Sequence, residues 1–249
     1  MAKYPEMQRR VAVITGGAGG IGKGVALKLF ENGANVVIAD LDPEAIERVV
    51  SHGAEFGCKA VGYTLDVRDE KSVQGMADTC MRELGRLDYL VNCAGIFKSV
   101  PMLDMTLEQW EEAIGINLTG TFLCMQKCAR IMAEAGYGSI VNLSSHAAVR
   151  GSANHTHYCA SKEGIIGLTR AFMREISESG VRVNSIAPDI IKTRMTMEGA
   201  GSRKQAWIER IPMKRFGEIE ECADLILYLL SESSSYITGQ NICITGGTI

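Results

Sequence analysis

Val11-Ala12-Val13-Ile14-Thr15-Gly16-Gly17-Ala18-Gly19-Gly20-Ile21-Gly22 is the stretch on which the fold turns. A short apolar run passes directly into a glycine cluster, and a helical pattern follows over Gly22–Asn32. A buried strand, a glycine turn and a helix start together make an anion site. Backbone N–H groups and the helix dipole point at a pyrophosphate, and the missing side chains let it approach. Glycines at 16, 20 and 22 do not match the commoner G-x-G-x-x-G spacing. A tight strand-to-helix turn without a ligand would use the same glycines. The position after the first strand is the context that favours phosphate.

Outward from this loop, apolar runs alternate with helix-length segments. The runs are Val11–Ile14, Val36–Ala39, Ala60–Leu65, Leu87–Val91, Ile140–Leu143, Val183–Ile186 and Asn241–Ile244. Most are continuously apolar, as suits strands buried on both faces. Helical patterns include Ser72–Leu84, Leu107–Ala135 and Tyr158–Ser179. This alternation predicts an α/β fold: a doubly wound parallel sheet of about seven strands with helices on both faces. No linker or repeat interrupts it, so residues 1–249 read as a single dinucleotide-binding and catalytic domain. Residues 194–216 break the rhythm; they are polar, Met-containing and irregular, and are expected to form a lid over substrate.

The 249 residues carry 26 Lys+Arg and 29 Asp+Glu, and 26 − 29 = −3. So mild a charge points to no nucleic-acid or membrane-surface partner. No apolar run approaches the ~18 residues of a membrane span, and Met1–Pro5 lacks the apolar core of a secretory signal. The eight cysteines include no C-x-x-C pair, and most sit in apolar periodic segments. The expected setting is reducing and cytoplasmic.

Asp40 ends the second strand, 18 residues after Gly22. A carboxylate there accepts from both hydroxyls of an adenosine ribose and repels a 2′-phosphate, by several kcal/mol at an effective dielectric of about 20. No Arg or Lys follows it immediately. NAD is therefore expected over NADP, although Asp40 capping the turn at Asp42-Pro43 is the alternative. Asp66, after the third strand, is placed to accept from the adenine amino group or to cap its own loop.

Tyr158 and Lys162 lie four apart in a helical pattern and share a face. Free tyrosine titrates near 10. A nearby ammonium and an oxidised nicotinamide cation favour the phenolate, which makes tyrosine a usable acid/base for an alcohol proton. Ser145 lies 13 residues earlier, beyond a strand end where open α/β sheets bind ligands. Its hydroxyl can donate to a substrate carbonyl; neighbouring Ser144 competes for that role.

These residues resemble the short-chain dehydrogenase/reductase family, along nearly the whole chain. The matching pieces are Thr15-Gly16-x-x-x-Gly20-Ile21-Gly22, Asp66-Val67, Asn92-x-Ala94-Gly95, Asn117, Ser145, Tyr158-x-x-x-Lys162 and Pro188-x-x-Ile191-x-Thr193. The resemblance implies a catalytic tetrad of Asn117, Ser145, Tyr158 and Lys162. Tyrosine exchanges the proton and serine orients the carbonyl. Lysine lowers the tyrosine's pKa and holds the nicotinamide ribose. Asparagine anchors a water from within a helix, which fits a local helix break that frees a backbone carbonyl. It also implies that Asn92, Ala94 and Gly95 line the adenosine side, that Pro188 lies near the nicotinamide, that Ile191 and Thr193 contact its carboxamide and the phosphates, and that the assembly is a homotetramer. Three positions depart from the family pattern: Cys93 for asparagine, Asp189 for glycine, and Thr245 for an acidic residue.

His146, His155 and His157 cluster in sequence, but no acidic or cysteine partner has metal-ligand spacing with them, and no metal is expected. His155 and Asp189 join Ser145 and Tyr158 as candidate substrate contacts. The expected activity is NAD(H)-dependent interconversion of a secondary alcohol and a ketone. The polar Asn154–His157 loop and Asp189 favour a polyol, a sugar alcohol or a small polar hydroxy-ketone. The alternatives are a 3-oxoacyl thioester reductase and a catalytically silent dinucleotide sensor or scaffold.

Overall fold

A computed structural model describes residues 3–248, apart from the side chains at 199, 200 and 202. Its strands are β1 (Val11–Thr15), β2 (Asn35–Asp40), β3 (Ala60–Thr64), β4 (Tyr89–Asn92), β5 (Gly138–Leu143), β6 (Val181–Pro188) and β7 (Asn241–Ile244). They form one sheet in the order β3-β2-β1-β4-β5-β6-β7, every neighbouring pair parallel. The expected fold and strand number are both present. The order reverses between β1 and β4, the place where such sheets bind ligands beyond their carboxyl ends.

Period-two alternation sorts the strand side chains into two cores. Ala12, Ile14, Val36, Ile38 and Val91 face one helical layer, formed by α1 (Gly20–Glu31), α2 (Pro43–Glu55) and α10 (Ile219–Leu230). Val11, Val13, Val37, Leu90 and Ile140 face the other, formed by α3 (Glu70–Leu84), α5 (Gly120–Ala135) and α7 (Thr156–Ile176). Strands covered on both sides must be apolar at every position, hence the unbroken runs read in the sequence. β3 is an edge strand with half-exposed residues, so its pattern is weaker.

Helix boundaries follow local chemistry. The Asp42 carboxylate accepts from Glu44 N and Ala45 N, and Pro43 begins α2, as capping rules lead one to expect. Asp69 caps α3, and Gly85 ends it at φ 75° in the left-handed region. Two expectations need correction. The segment Leu107–Ala135 is not one helix: α4 (Leu107–Ile114) is separated from α5 by a π turn at Gly115–Thr119. Residues 194–216 are not irregular, because they hold α8 (Arg194–Ala200) and α9 (Lys204–Arg210). Met, Glu, Lys, Gln and Ala are good helix formers, and the Thr193 side chain caps α8.

At the amino edge of the sheet, the buried Asp88 carboxylate accepts from Val11 N (2.8 Å), Arg10 Nη1 (2.8 Å), Arg86 Nε (2.7 Å) and Arg86 Nη2 (2.6 Å). It ties the starts of β1 and β4 together. Removing it leaves a buried N–H and two arginines without their acceptor. Asp88→Ala is expected to cost about 3 kcal/mol of stability, read from the urea midpoint at constant m-value. A loss below about 1 kcal/mol would place Asp88 among ordinary surface ion pairs.

Candidate active site

One cleft of about 1460 Å³ runs along the carboxyl edge of the sheet. At its first end lies the glycine loop. Gly16 has φ 63°, and a Cβ there would sit 2.7 Å from Ala94 N. A Cβ on Gly22 would collide with Gly16 O. Both glycines are therefore required by backbone packing. Gly19 differs, because a Cβ there would meet nothing within 4 Å. It is the N-cap of α1 with no side-chain cap, so the first-turn N–H groups open onto the cleft. This bare helix start fits a pyrophosphate. Thr193 stands over it, its Cγ2 being 3.7 Å from the Cβ position of Gly20. Ile21, Pro188 and Ile191 line the same cleft.

Asp40 lines the cleft beside this loop. Its Oδ2 accepts from Ala18 N at 3.0 Å and its Oδ1 from Leu41 N at 2.7 Å. It thus braces the loop from the cleft wall, and Asp42 does the capping of α2. Asp66 and Val67 also line the wall. Both oxygens of Asp66 accept from Arg68, with contacts of 3.0 Å and 2.7 Å. Its pKa is lowered, first by that hydrogen bonding.

At the other end, Ser145, Tyr158 and Lys162 line the cleft together. Ser145 follows β5 and is the N-cap of α6 (His146–Arg150), its Oγ accepting from Ala147 N at 3.2 Å. The competing Ser144 is accounted for, because its hydroxyl donates to Lys162 O at 2.8 Å. Lys162 Nζ in return donates to Leu143 O at 2.7 Å. These two bonds lock α7 to the end of β5, and so set Tyr158 relative to Ser145. Asn117 is fully buried and is not a lining residue. Its Oδ1 accepts from Ile96 N (2.8 Å), and its Nδ2 donates to Ile96 O (3.1 Å) and Ser161 Oγ (3.0 Å). The side chain thereby ties the loop after β4 to α7. The expected helix break is present as the π turn, but the Asn117 carbonyl accepts from Thr121 Oγ1 at 2.7 Å. A threonine four residues on reaches back to it.

Asn92 is also displaced from its expected place. It is buried at the end of β4 behind Ala94 and Gly95, which do line the cleft. Its Nδ2 donates to Asn142 Oδ1 at 2.8 Å across the sheet. A side chain at a strand's last residue points into a helical layer here, while the residues after it turn onto the edge.

A family model described as enoyl-(acyl carrier protein) reductase matches residues 16–248. A 3-oxoacyl-[acyl-carrier-protein] reductase of Thermotoga maritima is 37% identical over 243 residues, spanning 98% of this chain and 99% of that one. A D-threitol dehydrogenase of Mycolicibacterium smegmatis is 38% identical over 240 residues, spanning 96% and 92%. Among solved structures, an NAD+-bound xylitol dehydrogenase matches with a TM-score of 0.93 at 32% identity, covering 97% of this chain and 100% of that one. The chain belongs to the short-chain dehydrogenase/reductase family. It is thus an oxidoreductase of a family that binds nicotinamide dinucleotide and acts on CH–OH groups.

For a short-chain dehydrogenase/reductase, the electrostatics of this site hold one surprise. Lys162 was expected to depress Tyr158. Instead burial pushes the Tyr158 phenol up, and the hydrogen bond from Ser145 only works against it. Burial also drives Lys162 down to about 8. Its Nζ lies 5.9 Å from the centre of the Tyr158 ring. Desolvation is the leading cause for each group. Cys93 beside them is pushed up to about 12 by burial, so it is a neutral wall and not a nucleophile.

Sequence reasoning missed Phe97. It follows Gly95-Ile96 into the cleft, stacks on His155 at 4.3 Å between ring centroids and meets Tyr158 edge-on at 4.8 Å. Only its aromatic character two residues after Gly95 hinted at this. Of the polar residues expected to face substrate, His155 and Asp189 both line the cleft, although the Asp189 side chain is only 6% exposed. Arg194, Met195, Trp207 and Arg210, from α8 and α9, complete the rim.

The buried Lys162 makes a pH prediction. Its folded value of about 8 lies below its ordinary 10.5. Between them the unfolded chain holds a proton that the folded protein has released, so stability owed to Lys162 rises with pH across that window. Urea unfolding is expected to show wild type gaining on Lys162→Met above pH 8, by up to about 1.4 kcal/mol per pH unit. A difference that stays flat from pH 7 to 10 would mean the ammonium is not desolvated.

Proposed function

We propose that this protein is an NAD(H)-dependent dehydrogenase/reductase that interconverts a secondary alcohol and its ketone. The observation that carries this reading is the continuity of one cleft from a bare helix N-terminus to Ser145, Tyr158 and Lys162. Bound there, the dinucleotide supplies a nicotinamide ring that accepts or donates hydride at the carbinol carbon. Tyr158 takes the alcohol proton in oxidation and returns it in reduction. The Ser145 hydroxyl donates to the substrate oxygen and stabilises charge developing on it. Lys162 holds the nicotinamide ribose, and its charge joins that of the oxidised ring in lowering a phenol that burial alone raises. Asn117 keeps the loop after β4 and α7 at fixed spacing.

NAD is proposed over NADP because Asp40 lines the cleft beside the glycine loop, where a 2′-phosphate would meet its charge. The proposed substrates are polyols, sugar alcohols and small polar hydroxy-ketones, in keeping with the D-threitol and xylitol dehydrogenases among its relatives. A second reading, 3-oxoacyl thioester reduction, is favoured by relatives so named at 37% identity. We also propose a homotetramer in a reducing cytoplasm; all eight cysteines are free. On α7, Gly167 opens to space where a second copy can approach.

Turnover is read from nicotinamide absorbance with xylitol, threitol and small diols plus NAD, and with diketones and 3-oxoacyl thioesters plus NADH or NADPH. Tyr158→Phe is expected to bind NADH normally and lose about three decades of kcat; full activity in that variant would exclude the mechanism. Asp40→Ala is expected to narrow the gap in affinity between NAD and NADP, and an unchanged gap would assign the preference elsewhere.

A further inference from the structure

Asp189 follows Pro188 at the end of β6, where the resemblance implies glycine. Its side chain is 6% exposed and its carboxylate is hydrogen-bonded on one side. Oδ1 accepts from Arg150 Nη2 at 3.3 Å, and Oδ2 lies 3.8 Å from His146 Nδ1. The second distance is too long for a hydrogen bond. His146 Nδ1 is accordingly buried without a hydrogen-bond partner. His146 and Arg150 are the first and last residues of α6, and the N-cap of α6 is Ser145.

A five-residue helix has scarcely one internal hydrogen-bonded turn, so it cannot set its own position. Its start is tied down well. Ser144 N donates to Ile186 O at 2.8 Å, and Cys159 Sγ to Ala147 O at 3.2 Å. Its far end runs out through Gly151 at φ 79° into an exposed turn. Arg150 joins that end to the floor of the cleft. We propose that Asp189 is a positioning residue: its carboxylate holds the far end of α6 through Arg150 and so fixes the Ser145 hydroxyl against Tyr158. This rests on the reading of Ser145 given above. With one oxygen paired to a guanidinium and the side chain only 6% exposed, the carboxylate acts through the helix.

The test is a kinetic and crystallographic cycle of wild type, Ser145→Ala, Asp189→Gly and the double variant, with 2,3-butanedione and NADH as the probe reaction. Asp189→Gly leaves no unpaired buried carboxylate, and glycine adopts any backbone angle, so folding is spared. Asp189→Gly is expected to lower kcat about 10- to 100-fold, the scale of an ångström-level misplacement, with NADH affinity unchanged. Asp189→Asn, which keeps an acceptor for Arg150, should restore most of the loss. In the Ser145→Ala background, Asp189→Gly should change kcat less than about 2-fold, since residues acting as one unit are not additive. The Asp189→Gly crystal structure should show Ser145 Oγ displaced, and it decides the question even where the probe turns over slowly. Full additivity, a pure rise in KM for the diketone, or an unmoved Ser145 Oγ would each overturn the proposal. A displaced Ser145 together with full activity of Ser145→Ala would instead retain the positioning and reject the catalytic role of the serine.

Discussion

The site depends on a bond between a buried ammonium and a strand end. Lys162 Nζ donates to Leu143 O, and Ser144 Oγ donates back to Lys162 O. Each bond joins α7 to the last residues of β5, and the pair prevents the helix from sliding or rotating. Tyr158 is one turn before Lys162 on α7, and Ser145 is two residues beyond Leu143. Their relative placement follows from this junction. Asn117 adds the third side, tying the loop after β4 to the same helix through Ile96 and Ser161.

Burial that makes the junction rigid also makes it costly to charge. Tyr158 and Lys162 are each pushed toward the neutral form. A site in this condition responds strongly to one further charge, because little solvent screens it. That is the electrostatic case for a tyrosine whose proton affinity changes with the oxidation state of a neighbouring ring. The glycine loop shows the same economy of space: Gly16, Gly22 and Ala94 pack so closely that only hydrogen fits at two of the positions. Gly19 is open on the side that lines the cleft. Phe97 and His155, stacked beside Tyr158, close the substrate half with flat, weakly charged surface.

Seven strands, their parallel arrangement and the glycine loop were legible in the chain, because strands covered on both faces must be apolar throughout and a phosphate turn must lack side chains. The tyrosine–lysine pair was legible because four residues make one helical turn. Ser145 could be named but not separated from Ser144, and only the direction of each hydroxyl separates them. The helices over 194–216 were hidden by their polar composition, which reads as loop although its residues favour helix. The edge strand β3 was found with its face half exposed, since one partner strand suffices to hold it.

By itself, then, the amino-acid sequence determined the periodic features: element order, sheet type, the cofactor loop and the candidate acid/base. Tertiary structure alone decided which polar groups face the cleft and which turn away. Asn92, Asn117 and Asp189 all carry the chemistry of site residues, and all hold neighbouring elements through hydrogen bonds. The reason is physical. Periodicity within an element is local and written in the spacing of residues, whereas burial and pairing depend on residues tens of positions apart. Arg150 and Asp189 meet across 39 positions of sequence, and no local pattern records that meeting.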